Sequence, residues 1–168
     1  PVCFADSPVQ KDVNCISPDA FHQRVQGVID RKGKIEILQL SGGEPTIHPQ
    51  FFELLEWAQA HPLIDYVLVN TNGVRLANDP GFAGELNRRY KRGGLQLYLQ
   101  FDGIQEDGHK QLRGADLRAL KQRAIETAGA MDGGGLPVTL AMTVTQPSSR
   151  RRSPRARCGR GFARQDCR

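Results

Sequence analysis

No stretch of the 168-residue sequence is apolar for long enough to cross a bilayer, and none reads as a secretory leader. Cysteine is scarce. Cys3, Cys15, Cys158 and Cys167 are too scattered to staple a disulfide framework, and a reducing cytoplasmic setting is expected. Charge of one sign is also missing from most of the chain. The formal net charge is +5, but residues 150–168 hold eight Arg against one Asp, so the preceding residues sum to −2. The overall basicity is therefore a property of the tail and not of the body. What is present is length enough for one domain with a sizeable core. The chain opens on Pro1 rather than Met, and residues upstream of it are expected.

The stretch that organises the rest is Leu38-Gln39-Leu40-Ser41-Gly42-Gly43-Glu44-Pro45-Thr46. Ile35 to Leu40 reads as a buried strand that stops at a Gly-Gly pair. An acid and a proline follow, then a helix that Pro49 can open. Such a turn puts bare backbone and one carboxylate at the C-terminal end of a strand, where parallel α/β folds bind ligands. Backbone carbonyls and Glu44 suit a cationic amine better than a phosphate. The other reading is a tight turn whose acid sits near a helix N-terminus.

Strand and helix patterns alternate along the chain. Ser17-Pro18-Asp19 reads as an N-cap with Pro at the first helical position, and Phe21, Val25, Val28 and Ile29 recur at helical spacing. A helix over 49–61 buries Phe51, Leu54, Leu55 and Ala58, and Pro62 ends it. A second strand over 66–69 closes in Asn70-Thr71-Asn72-Gly73, and a helix over 80–92 follows. A third strand over 95–101 closes in Asp102-Gly103. Leu112-Arg113-Gly114 leads into a helix over 116–131, and a Gly-rich turn feeds a fourth strand over 138–144. Short connections between alternating elements require parallel, right-handed βαβ units in an open or partly closed barrel.

After Thr145 almost nothing apolar remains, and residues 146–168 are expected to be a disordered basic tail. One reading is an arm for nucleic acid. The preferred one is a GC-rich gene translated out of frame, given the Arg, Pro, Ser, Gly, Ala and Cys bias and the abrupt end of the fold pattern. Of the other cysteines, Cys15, Cys158 and Cys167 match no motif, and Cys15 is read as structural.

Three strand ends thus carry polar signatures: Ser41-Gly42-Gly43-Glu44-Pro45, Asn70-Thr71-Asn72-Gly73 and Gln100-Phe101-Asp102-Gly103. All three open on one rim of a parallel sheet. Asn72-Gly73 is also an ordinary turn dipeptide. Gln100 and Asp102 share a strand face that should point inward, and a buried Gln and Asp need partners. A bound polar ligand is one such partner.

In this order the motifs resemble the radical S-adenosylmethionine (SAM) superfamily. Ser-Gly-Gly-Glu-Pro after a strand is similar to that family's SAM-amine motif. Asn-Thr-Asn-Gly and a polar residue before Phe-Asp-Gly continue the pattern, and Pro1-Val2-Cys3-Phe4 resembles the end of its Cys-x3-Cys-x2-Cys loop. The resemblance covers residues 1–145. It leans toward the molybdenum-cofactor-type cyclases and the tetraether lipid synthase group, whose cysteine loop also runs into Cys-Phe-Ala. Val2 precedes Cys3 where many relatives have an aromatic, and two cluster cysteines are not in the chain.

The resemblance implies an incomplete (β/α)6 partial barrel with parallel strands, carrying four of about six βα units. It implies a [4Fe–4S] cluster with Cys3 as one of three thiolates, which leaves one iron open for SAM. Gly42, Gly43 and Glu44 would contact the SAM amine. Gln100 would contact the ribose or carboxylate, and Asn72 would be a further contact. Arg113 would neutralise the carboxylate, or else it is a surface charge beside a helix start. The activity implied is reductive SAM cleavage to a 5′-deoxyadenosyl radical that abstracts hydrogen from a substrate. That substrate is left open among small molecules, lipids and peptides. An external donor of flavodoxin or ferredoxin type would supply the electron, and nucleic acid is not expected as a partner. A non-redox α/β barrel binding a nucleotide or phosphate at the same rim is the alternative, and a basic-tailed nucleic-acid-binding protein is a third reading.

Overall fold

The computed structural model describes residues 15–90 and 94–142, apart from the side chains of residues 108, 111 and 112. Cys3, Cys158, Cys167 and the boundary at 145/146 lie outside the described residues. Helix α1 (Pro18–Lys32) begins as its sequence requires. Ser17 is the N-cap and accepts from the Ala20 amide at 3.3 Å, with Pro at the start of the helix. Helix α1 buries Val25 and Ile29. Strand β1 (Leu38–Leu40) is followed by a single 3-10 turn, Pro45–Ile47, and by α2 (Phe51–Ala60). Strand β2 (Val67–Thr71) leads to a short α3 (Val74–Asn78) and then α4 (Pro80–Arg89). Strand β3 (Leu95–Gln100) leads to α5 (Glu106–Arg113) and α6 (Arg118–Gly129), and β4 (Val138–Ala141) comes last.

The four strands form one sheet in the order β1-β2-β3-β4, and every pair is parallel. This is the parallel α/β arrangement that the alternating pattern calls for. Residues paired across parallel strands share a face. One face carries Leu40, Val67, Val69, Leu95, Leu97 and Leu99. These join α1 Val25 and Ile29, α2 Leu55 and Ala58, α4 Phe82 and Leu86, and α6 Ala124 and Ala128 in one apolar core. Burying a Leu or Val side chain there contributes roughly 1.5–3 kcal/mol.

The opposite face carries Gln39, Leu68, Asn70, Gln96, Tyr98, Gln100, Thr139 and Ala141, and none of these belongs to that core. Parallel sheets normally have both faces covered. A second face made of amides, a hydroxyl, a phenol and two small or aliphatic groups is instead what the inside of a partial barrel looks like.

Two expectations need correction. The helix expected over 116–131 starts at Arg118, and Arg113 does not lead into it. Arg113 instead lies in the last turn of α5, which Gly114 closes in the left-handed conformation (φ +80°). Helix α5 is almost wholly polar and contains Gly108, so its sequence shows no apolar period. Side-chain bonds from His109 and Arg113 back to Gly103 and Asp102, in the turn before it, hold it. The first strand is also shorter than the apolar run. Ile35 makes only an isolated bridge to Ile64, and Ile37 is exposed.

Candidate functional site

Because the strands are parallel and adjacent in chain order, the turns after β1, β2 and β3 emerge side by side on one edge of the sheet. The turn after β1 holds Gly42 and Gly43. A Cβ on either would meet nothing within 4 Å, so the backbone there is open to a ligand. Among the described residues, no hydrogen bond reaches the carbonyls of Gly42 or Gly43.

Glu44 ties this turn to the next. Its Oε1 accepts from Thr46 Oγ1 at 2.7 Å, from the Thr46 amide at 3.2 Å and from Thr71 Oγ1 at 2.7 Å. Its Oε2 accepts from the Asn72 amide at 2.6 Å. The carboxylate therefore satisfies four donors from two strand ends, and charge-assisted bonds of this kind are the strong ones. Arg75, in α3, adds a second tie by donating to the Thr46 carbonyl, and its guanidinium lies 4.5 Å from the Phe82 ring centroid.

The turn after β2 is set by Gly73, at φ +75°. A Cβ there would stand 2.5 Å from Leu99 Cδ1 and 3.2 Å from Ala124 Cβ. Glycine is thus required both by the conformation and by the packing of β3 and α6 against the turn. Asn72 Oδ1 accepts from the Val74 amide at 2.9 Å and starts α3. Its carbonyl accepts from Lys121 Nζ at 2.6 Å.

The turn after β3 brings Asp102 and Arg113 together. Arg113 Nε donates to Asp102 Oδ2 at 2.6 Å, and Nη2 donates to Oδ1 at 2.9 Å. The side chains are 0% and 14% exposed, so the pair is desolvated and bidentate. With its amide oxygen turned to the guanidinium, Gln100 accepts from Arg113 Nη1 at 3.0 Å. The partners that Gln100 and Asp102 require are thus supplied within the chain by Arg113. Arg113 is not a surface charge, and the second of its two expected roles falls.

Two site residues, Lys121 and His109, are missing from the sequence reading, and Thr71 enters it only as part of a motif. Lys121 is fully buried on α6, on the same stripe as Ala124 and Ala128. Burial pushes its ammonium down to about 8, against the pull of Asp102 and Glu44, and Arg113 adds to the depression. A lysine at an apolar-stripe position was the signal that could have found it. His109 is also fully buried, with Nε2 2.7 Å from the Gly103 carbonyl and Nδ1 without a partner. Thr71 is buried, and its hydroxyl accepts from the Gly73 amide at 3.0 Å.

The donor set can be weighed against the groups the motifs imply. An amine needs acceptors, and the open Gly42 and Gly43 carbonyls provide them. A carboxylate or a ribose needs donors, and Asn72 Nδ2 has no partner among the described residues. The rim therefore fits SAM. An iron–sulfur cluster needs thiolates. Cys15, read as structural, is exposed and free, and no group of three His, Cys, Asp or Glu among the described residues could hold a metal. The donors of such a cluster would have to come from outside the described residues, where Cys3 lies.

An all-parallel α/β sheet whose successive strand ends build one polar rim defines the class: a barrel-type α/β protein with its ligand site at the C-terminal edge of the strands. No family model matches the chain. It is 31% identical over 129 residues to the 7,8-dihydro-6-hydroxymethylpterin dimethyltransferase of Methanocaldococcus jannaschii, a match covering 75% of this chain and 24% of that protein. It is 28% identical over 123 residues to the mycofactocin maturase MftC of Mycobacterium ulcerans, covering 72% of this chain and 31% of that protein. The MftC of Mycobacterium tuberculosis is 24% identical over 123 residues, covering 72% and 30%. The chain spans a quarter to a third of the length of these relatives. With the motif order and the fold, these matches over about three quarters of the chain support the radical SAM superfamily. Among the described residues, no helix is long and apolar enough to cross a membrane.

Proposed function

We propose that this chain is the SAM-binding part of a radical SAM enzyme. The observation that carries the reading is the joining of the first two motif turns through one carboxylate, beside an open glycine backbone. In this reading the Gly42 and Gly43 carbonyls accept from the SAM amine, and Glu44 anchors the turn that presents them. Asn72 Nδ2 and the Gln100 amide address the carboxylate or ribose. The Arg113–Asp102 pair holds the third turn, and Arg113 orients the Gln100 amide.

Cys3 would supply one of the three thiolates that hold a [4Fe–4S] cluster. When bound and reduced, the cluster supplies the electron that cleaves SAM to a 5′-deoxyadenosyl radical for hydrogen abstraction. The chain's own part is to orient SAM and keep water from the rim. The electron comes from a flavodoxin- or ferredoxin-type donor, and the setting is the cytoplasm. The substrate is not assigned: one relative is named for a pterin and the others for mycofactocin maturation. A phosphate-binding barrel is less well supported, because the two buried rim cations among the described residues, Arg113 and Lys121, are already bonded to oxygen atoms of the chain.

The test is electron paramagnetic resonance of the native gene product, expressed from its own start codon and reconstituted anaerobically. A reduced-cluster signal whose g-values shift on adding SAM is expected. A signal indifferent to saturating SAM overturns the reading.

A further inference from the structure

The Asn72 peptide is gripped from both sides by opposite charges. Its N–H donates to Glu44 Oε2 at 2.6 Å, and its carbonyl accepts from Lys121 Nζ at 2.6 Å. A carboxylate from the turn after β1 and an ammonium from α6 thus close on one residue of the turn after β2. The Asn72 side-chain oxygen is committed as well, to the Val74 amide at 2.9 Å. The one polar group of Asn72 left over is its Nδ2 donor.

Nothing in the packing asks for a lysine at position 121. Its neighbours on the stripe are Ala124 and Ala128, both fully buried, and the core beyond them is apolar. An apolar residue would bury there without the desolvation cost of an ammonium. Positions that break a local rule in this way mark function more often than stability. The charged groups that act on Lys121 are Glu44 from the turn after β1, Asp102 from the turn after β3 and Arg113 from α5, and the carbonyl it bonds is that of Asn72 in the turn after β2. It is thus placed beneath the junction of all three turns.

We propose that Lys121 is a positioning residue of the rim, paired with Glu44 through the Asn72 peptide so that the open Gly42–Gly43 backbone and the Asn72 Nδ2 donor keep a fixed separation. This deepens the SAM reading and rests on it for the identity of the ligand. Glu44 then acts chiefly as the anchor of the turn, and its effect on SAM travels through Asn72.

The experiment compares Lys121→Met, Glu44→Gln and the double variant. SAM affinity is measured by equilibrium dialysis on the reconstituted native gene product. Exchange of the Asn72 and Gly73 amides is measured by nuclear magnetic resonance without SAM. Expected are at least tenfold weaker SAM binding in each single variant, a double variant no worse than the weaker single, and Asn72 exchange at least tenfold faster in each. Folded Lys121→Met protein with SAM affinity within twofold of wild type overturns the proposal, as does full additivity of the two substitutions. If Lys121→Met does not fold, Glu44→Gln reads the same grip from its other side, and unchanged Asn72 exchange there overturns it. A wild-type protein that loads its cluster but binds no SAM sinks the SAM reading instead. The grip is then judged on amide exchange alone.

Discussion

Lys121→Met isolates the buried ammonium, and its effect on stability should depend on pH in one direction only. Burial lowers the Lys121 pKa from 10.5 to about 8. At ~1.4 kcal/mol per pH unit, that gap corresponds to about 3 kcal/mol. Above 10.5 the amine is neutral in the folded and the unfolded chain. As the pH falls from 10.5 toward about 8, the unfolded chain takes up a proton that the folded chain refuses, so stability falls. Below about 8 both forms carry the proton, and the penalty stays constant. Wild-type stability minus variant stability should therefore rise by about 3 kcal/mol from neutral pH to pH 10.5, while all other titrations cancel in the difference. The variant also strands the Asn72 carbonyl, which costs about 1–2 kcal/mol but does not depend on pH. Urea unfolding at about pH 7, 9 and 10.5 reads the difference. The fluorescence of Trp57 reports it, since this single tryptophan stacks on His22 with ring centroids 4.2 Å apart. Two stability curves that run parallel across the whole range would refute the reasoning, and with it the burial of the charge.

Three further outcomes follow from the packing. Asp102→Ala leaves the Arg113 guanidinium buried without its bidentate partner and should cost about 3–5 kcal/mol in urea unfolding; a loss under ~1 kcal/mol would show a pair already screened by water. Gly73→Ala places a methyl 2.5 Å from Leu99 Cδ1 at φ +75°, so the same assay should show a loss of about 2–3 kcal/mol, and an unchanged midpoint would mean that the turn is free to move. Ser17→Ala removes the α1 N-cap and should cost about 1 kcal/mol, read as a lower thermal midpoint with unchanged helix content at room temperature.

The parts of the fold legible in the sequence are those with a strong local period or a stop signal. Helix α1 announces itself through Ser17 and Pro18 and through the spacing of Val25 and Ile29, and α2 through Phe51, Leu54, Leu55 and Ala58. The parallel sheet follows from short connections between apolar runs. Helix α5 does not show, because its residues are polar and it is fixed by partners in the turn before it: Arg113 by Asp102, and His109 by the Gly103 carbonyl. The site divides in the same way. Gly42, Gly43, Glu44, Asn72 and Gln100 sit at strand ends, where sequence and topology together place them on one rim. The partners of Glu44 are less visible, since Thr71 and Asn72 are 27 and 28 residues away in sequence. Lys121 lies 49 residues from the carbonyl it holds, and only its intrusion on an apolar stripe hints at a role. Cys3, on which the cluster assignment rests, lies outside the described residues and stands on the motif alone.

The most direct measurement of the central claim is product analysis on the native gene product, expressed from its own start codon, reconstituted anaerobically with iron and sulfide, and reduced with dithionite in the presence of SAM. The account predicts about four irons per chain at the cluster of this core and formation of 5′-deoxyadenosine, with both lost on Cys3→Ala. A protein with a full complement of iron and sulfide that releases no 5′-deoxyadenosine, or one that still cleaves SAM after Cys3→Ala, would contradict it.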